Sequence, residues 1–132
     1  MVDVGAAAKL RVLVVDDSSL VRLYYRSALE KAGFEVEQAI NGIEAMERAL
    51  SQPFDLVIVD VNMPRMDGFS FLRALRRAAA DVATLPALMI STEAETQDIA
   101  AASAAGANFY LVKPVAEADL VRHVRALTGA AP

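Results

Sequence analysis

Apolar residues come in short bursts along this chain, and each burst runs into polar residues. LRVLVV (10–15) stops at Asp16, FEVEQA (34–39) leads to Asn41-Gly42, and DLVIVD (55–60) ends on Asp60. PALMIS (86–91) ends on Ser91 and Thr92 follows, while NFYLV (108–112) stops at Lys113. Short β-branched and aliphatic runs bounded by turn residues are the mark of strands covered on both faces. Between them the period becomes helical. Leu20, Leu23, Tyr24, Ala28 and Leu29 share the apolar face of a first helix, which follows Asp16-Asp17-Ser18-Ser19 and stops at Gly33. Asn41-Gly42 reads as a turn, after which Ile43, Met46, Ala49 and Leu50 mark a second helix that Pro53 ends. Phe69, Leu72 and Leu75 mark a third, with Arg73, Arg76 and Arg77 on its wet side. An alanine-rich fourth helix covers 94–105 and ends at Gly106. A fifth, over 117–128, carries Leu120, Val121, Val124 and Leu127 and ends near Gly129.

Strand and helix thus alternate five times. Such alternation implies an α/β fold: one parallel sheet, right-handed crossovers and helices on both faces. No internal repeat and no interdomain linker interrupts it. The expected organisation is a frayed leader over 1–9, one domain over 10–128 and a short tail over 129–132.

Composition narrows the function classes. The 132 residues suit one domain able to bury its own core. No cysteine is present, which excludes disulfides, thiol nucleophiles and zinc–thiolate sites. His123 is the only histidine, so a multi-histidine metal site is excluded as well. Net charge is −4 with the bases scattered, which speaks against nucleic acid as a partner. No apolar stretch is long enough to span a bilayer, and MVDVGAAAKLR lacks the pattern of a secretory signal. The expectation is a soluble, cytoplasmic, monomeric protein.

In open parallel sheets, ligands bind beyond the carboxyl ends of the strands, where strand order reverses. Those ends offer Asp16, Asp17, Asp60, the hydroxyls of Ser91 and Thr92, and Lys113. Clustered carboxylates repel one another unless a cation joins them. A hard divalent ion with oxygen ligands meets that need, and Mg²⁺ leaves coordination positions that suit a phosphate. Lys113 supplies a compact positive charge for a carboxylate or a phosphate oxygen, and Ser91 can donate to the phosphate. Together these parts describe a phosphoryl-transfer site in which Asp60, ending the central strand, is the nucleophile and forms an aspartyl phosphate. Each residue alone has a plainer reading. Asp16 and Asp17 suit a helix cap, Asp60 a turn, Ser91 and Thr92 a helix start, and Lys113 a solvated charge. The coincidence of the right polar group at four strand ends favours the site.

The motifs VLVVDDSS, DLVIVDVNMPRMDG, LMISTEAE and AGANFYLVKP, in this order and spacing, resemble the receiver domain of bacterial two-component response regulators. The likeness covers about residues 9–128 and is greatest to stand-alone chemotaxis regulators of the CheY type. The resemblance implies a flavodoxin-like (βα)5 fold with strand order 2-1-3-4-5. It implies phosphoryl transfer from a histidine kinase, CheA-like in a chemotaxis system, to Asp60, with Mg²⁺ held by Asp16, Asp17, Asp60 and the backbone carbonyl of Asn62. Ser91 then matches the switch hydroxyl, Tyr110 the aromatic that turns inward with it, and Lys113 the lysine on the phosphate, followed by a cis Lys113–Pro114 bond. Without the resemblance, Tyr110 reads as a half-buried strand aromatic. The implied output surface is the face of the fourth helix, fifth strand and fifth helix. A flagellar motor switch protein is the expected target, and a phosphatase is a further partner.

Flagellar-switch regulators carry lysines at the start of the fourth helix. Here STEAETQD supplies Glu93, Glu95 and Asp98 and no base, and a site built to meet lysines would be repelled. His123, where those regulators tend to carry lysine, reads as a solvated surface histidine. The chain ends soon after the fifth helix, so the expected protein is a single-domain regulator acting by contact. Chemotaxis is the preferred process, with a phosphate sink or shuttle in another relay as the alternative. A hydrolase of the haloacid dehalogenase type is disfavoured. It needs Asp-x-Asp, and here Asp60-Val61-Asn62 puts an amide where the acid must be. The protein is therefore expected to be a phosphoacceptor rather than an enzyme. Asn62 and Glu93 flank the site and should tune access of water to the acyl phosphate.

Overall fold

The computed structural model describes residues 9–130. In chain order the elements are β1 (Arg11–Val15), α1 (Ser19–Lys31), β2 (Glu35–Ala39), α2 (Gly42–Ser51), β3 (Leu56–Val59) and α3 (Gly68–Arg76). Then come α4 (Ala80–Ala83), β4 (Ala87–Ser91), α5 (Thr96–Ala105), β5 (Phe109–Val112) and α6 (Glu117–Thr128). Five parallel strands form one sheet in the order β2-β1-β3-β4-β5. This is the flavodoxin-like order that the resemblance implies. Register brings the carboxyl ends together: Val15 lies beside both Ala39 and Val59, and Ser91 lies beside Val112.

Alternation along each strand divides the core. Val12, Val14, Leu56, Ile58, Leu88 and Ile90 face α1 and α6, where they meet Tyr25, Leu29, Leu120 and Val124. Leu13, Val15, Val57, Val59 and Met89 face the other way, against Phe71, Leu72, Leu75 and the alanines of α2 and α5. The three inner strands are therefore buried along their apolar runs, as their unbroken β-branched sequences predict.

Several expectations need correction. The apolar face expected for α1 holds at Ala28 and Leu29 but not at Leu20, Leu23 and Tyr24. Val21, Tyr25, Ala28 and Leu29 turn to the sheet, whereas Leu20 is 77% exposed, Leu23 60% and Tyr24 43%. In α2, Ala45 and Ala49 are buried while Ile43 and Leu50 are exposed. The Asn41-Gly42 turn is instead the start of α2. Asn41 caps it by accepting from the Glu44 N–H at 2.9 Å, and its side chain is buried. A short helical turn, α4, precedes β4 and was not foreseen, so the helices read as fourth and fifth are α5 and α6. The leader over 1–9, apart from Lys9, and the last two residues of the 129–132 tail lie outside the described residues.

Arg76 is not on the wet side of α3. Its guanidinium donates to the carbonyls of Ala83 (2.8 Å), Leu85 (2.6 Å) and Gly106 (2.7 Å) and to Asn108 Oδ1 (3.1 Å). Burial lowers its pKa, and these acceptors compensate the lost hydration. It ties the ends of α3, α4 and α5 to the start of β4. Its neighbours Arg73 and Arg77 are exposed. Removing Arg76 leaves buried carbonyls without donors, so Arg76→Ala should lower unfolding free energy by about 1–3 kcal/mol. Arg73→Ala should stay within about 0.5 kcal/mol of the parent. Urea unfolding of both variants checks the contrast.

Candidate functional site

The site lies where β1, β3, β4 and β5 end. Asp16 extends the β1 ladder by one step, its N–H donating to the Ala39 carbonyl at 3.1 Å. Its side chain is 2% exposed, so the carboxylate is almost entirely out of water. One oxygen accepts from the Ser18 N–H at 2.9 Å and the other lies 2.9 Å from Lys113 Nζ. Neither Asp16 nor Asp17 caps α1. Ser18 does, by accepting from the Val21 N–H at 3.3 Å. Asp17 is exposed and turns a third carboxylate to the same spot.

Asp60 stands at the end of β3, with its N–H on the Val15 carbonyl at 3.0 Å. Its Oδ1 accepts from the Val61 N–H at 2.9 Å and lies 3.6 Å from Lys113 Nζ. The loop after it is shaped by contacts that only particular residues allow. At Gly68, a Cβ would sit 2.1 Å from the Asp60 carbonyl oxygen, so α3 can start this close to the strand end only with glycine. Asp67 caps α3, accepting from the Ser70 N–H at 2.8 Å, which is the helix-start role its position suggests. Arg65 takes a left-handed turn at φ 70°, and the Met66 carbonyl accepts from the Gly42 N–H at 3.0 Å.

The oxygens of Asp16, Asp17 and Asp60 all lie within 4.8 Å of one another. Lys113, on the far strand of the group, reaches two of them. Burial raises the Asp60 pKa to about 6, and the Asp16 charge adds to the rise. Lys113 and the Val61 N–H pull it down, and Asp17 contributes a smaller push upward. Beneath the cluster, burial holds the Tyr25 hydroxyl protonated, with the Asp16 and Asp60 charges acting in the same direction. An all-oxygen donor set with surplus negative charge fits a hard divalent cation such as Mg²⁺ and offers nothing to a soft one.

The remaining expected residues meet around Glu93. Ser91 is fully buried at the end of β4, and its hydroxyl accepts from the Glu93 N–H at 3.2 Å. Asn62 Nδ2 donates to Glu93 Oε1 at 3.2 Å. The Tyr110 hydroxyl donates to the Glu93 carbonyl at 2.7 Å. Burial raises the Tyr110 pKa, and the Ser91 hydroxyl beside it offsets part of the rise. The Lys113–Pro114 bond is cis, as the resemblance implies. His123 is half-buried rather than solvated: its ring lies 5.0 Å from that of Phe109, and Nδ1 is 2.7 Å from the Asp119 carbonyl. Tyr24 and Tyr25 are not among the site residues expected from the sequence. Adjacent aromatics eight and nine residues after Asp16 were a signal, but helical period assigned Tyr24 to the core.

A family model described as a response regulator receiver domain matches residues 12–125. The transcriptional regulatory protein PrrA of Mycobacterium leprae is 42% identical over 125 residues, which are 95% of this chain and 52% of that one. PrrA of Mycobacterium tuberculosis is 43% identical over 117 residues, 89% of this chain and 49% of its own. The chain thus spans about half the length of these curated relatives. Among solved structures, the chemotaxis response regulator CheY4 of Vibrio cholerae superposes with a TM-score of 0.85 at 38% identity, covering 91% of this chain and 99% of that one. A putative response regulator from Chloroflexus aurantiacus gives a TM-score of 0.87 at 32% identity, covering 92% and 99%.

The Asp60 pKa makes a stability prediction for the metal-free protein. The folded carboxyl titrates near 6, above its ordinary value of 3.8, so the folded state binds this proton more tightly. The stabilisation is complete below pH 3.8 and is lost as pH rises through about 6. With a chelator present, this group should lower unfolding free energy by roughly 1–3 kcal/mol between pH 4 and 7. Asp60→Asn should flatten that part of the profile, and urea unfolding at each pH reads the difference.

Proposed function

This chain belongs to the response regulator receiver domain family, and we propose that it is a phosphorylation switch charged at Asp60 by a histidine kinase. The observation that carries the reading is the convergence of three carboxylates within 4.8 Å, with Lys113 Nζ 2.9 Å from Asp16 and 3.6 Å from Asp60. Asp60 Oδ1 is held by the Val61 N–H and faces Lys113, which leaves Oδ2 to attack phosphorus. The bond to the donor nitrogen breaks and the donor imidazole keeps the electron pair. Asp16, Asp17, Asp60 and the Asn62 carbonyl would hold Mg²⁺, which offsets the charge of the carboxylates and of the incoming phosphoryl oxygens.

The new group carries roughly −1.5 to −2 charge and three strong acceptors. Lys113 pairs with one of its oxygens and Ser91 donates to another. Ser91 Oγ already accepts from the Glu93 N–H, so movement of the hydroxyl toward the phosphoryl group pulls on the same residue whose carbonyl holds Tyr110. The phosphoryl group thereby selects one arrangement of the β4–α5 loop and alters the α5-β5-α6 face. Exposed Leu20, Leu23 and Tyr24 form an apolar shoulder on α1, which suits the docking of the phosphodonor protein.

The chemotaxis output expected from the motifs has support in the likeness to CheY4. A second reading, control of transcription, has support in the two PrrA relatives. Either output places the protein in the cytoplasm, where kinase and target meet, and no helix among the described residues is long and apolar enough to cross a membrane. Hydrolase chemistry lacks its acid, because Asn62 is an amide and its nitrogen is engaged with Glu93. The protein is a phosphoacceptor, with only its own phosphorylation and dephosphorylation chemistry.

Incubation with Mg²⁺ and acetyl phosphate should add one phosphoryl mass to the protein and none to Asp60→Asn. No gain in the parent overturns the reading, and rapid turnover of small phosphoesters supports the hydrolase instead. A pull-down with the phosphorylated protein and with Asp60→Asn separates a chemotaxis output from a place in a phosphorelay. Retention of a flagellar motor protein by the phosphorylated form alone establishes chemotaxis. Retention of a histidine-containing phosphotransfer protein alone establishes a relay.

A further inference from the structure

Lys113 is the last residue before a turn into α6, and its ammonium must sit between two carboxylates on other strands. Lys113 follows β5, an edge strand whose outer residues Phe109 and Val112 are 46% and 41% exposed. The Lys113 N–H is anchored on the Ser91 carbonyl at 2.8 Å. Beyond Lys113, Pro114 has no N–H to donate. The next polar tie is supplied from α1: the Tyr24 hydroxyl donates to the Val115 carbonyl at 2.9 Å. Lys113, Pro114 and Val115 form one wall of a cleft of about 450 Å³, and Leu20, Tyr24 and Tyr25 form the other. The Val115 side chain packs into the core shared with α1 and α6. The other polar link from α1 to this region, Lys31 to Glu117 at 3.4 Å, is exposed at both partners and contributes little.

We propose that Tyr24 is a positioning residue for phosphoryl transfer, whose hydroxyl, by holding the Val115 carbonyl, sets where Lys113 places its ammonium over Asp60. The proposal rests on the reading of Asp60 as phosphoacceptor and Lys113 as the phosphate contact. Tyr24 touches neither the phosphoryl group nor the metal site. It acts two residues downstream of Lys113, and the residue is 43% exposed. A misplacement well below 1 Å at Lys113 changes the field at the transferring oxygens, because positioning and charge neutralisation are the catalysis here.

The test uses the full chain with Mg²⁺ and acetyl phosphate, a donor too small to need a docking surface. Tyr24→Phe keeps the ring and removes the donor. Its maximal rate of Asp60 phosphorylation should fall roughly three- to tenfold, the worth of one hydrogen bond. Mg²⁺ affinity and the urea midpoint should change little. Replacing Tyr24 by 4-aminophenylalanine, which restores a donor at the same place, should recover most of the rate. The decisive comparison is a double-mutant cycle with Lys113→Ala: once the lysine is gone, Tyr24→Phe should cost nothing more. A parental rate in Tyr24→Phe, or a loss of equal size in the Lys113→Ala background, overturns the positioning role. Failure of the underlying reading looks different, because then the parent takes up no phosphoryl group, or Lys113→Ala keeps the parental rate.

Discussion

Three carboxylates with oxygens inside 4.8 Å cannot all be ionised beside a buried strand end unless positive charge is brought to them. The fold brings one cation, Lys113, from the far edge of the sheet. Burial first, and the Asp16 charge after it, hold the Asp60 proton to about pH 6 despite its lysine. An all-oxygen cluster with surplus negative charge suits a hard divalent cation. Every nearby feature serves that imbalance. Gly68 lets α3 begin against the Asp60 carbonyl, Ser18 takes over the capping of α1 and frees Asp16 for Lys113, and Tyr25 lies beneath as a neutral hydroxyl.

The same edge of the sheet connects charge to surface by short steps. Ser91 is buried under the site, its hydroxyl is bound to Glu93, and the Glu93 carbonyl holds Tyr110. None of these links is apolar packing, so each can exchange one hydrogen bond for another at small net cost. α5 buries only Ala102 and Ala105, both in its later half, and its first turn is held by reciprocal side-chain bonds of Glu95 and Asp98. Its far end is held firmly, since Arg76 grips the Gly106 carbonyl. A helix clamped at one end and lightly packed at the other is where local stability is lowest.

Much of this was legible from residue order alone. Short apolar runs separated by helical spacing yield a doubly wound parallel sheet, because few other architectures bury such strands on both faces. The polar residue at each strand end then marks the site, because parallel strands end on a common edge. What misled was helical phase. Leucine and tyrosine at positions 20, 23 and 24 looked like core, yet beside the expected Ala28 and Leu29 it is Val21 and Tyr25 that turn to the sheet. Small alanines can win a buried stripe when helix and sheet lie close, and hydropathy alone does not register that. Arg76 misled for the opposite reason. A cation on a helix looks solvated until carbonyls from α4, the α4–β4 turn and the α5–β5 turn converge on it.

By itself, then, the order of residues determined the strands, the class of fold and which side chains stand at the carboxyl edge, since those follow from local period and from the rule that parallel strands end together. Distances across the sheet were decided only by the tertiary structure. It set Lys113 against Asp16, 97 positions away, and Tyr24 against Val115, 91 positions away. Contacts between such distant positions depend on twist, register and helix phase together, and no local pattern encodes their sum.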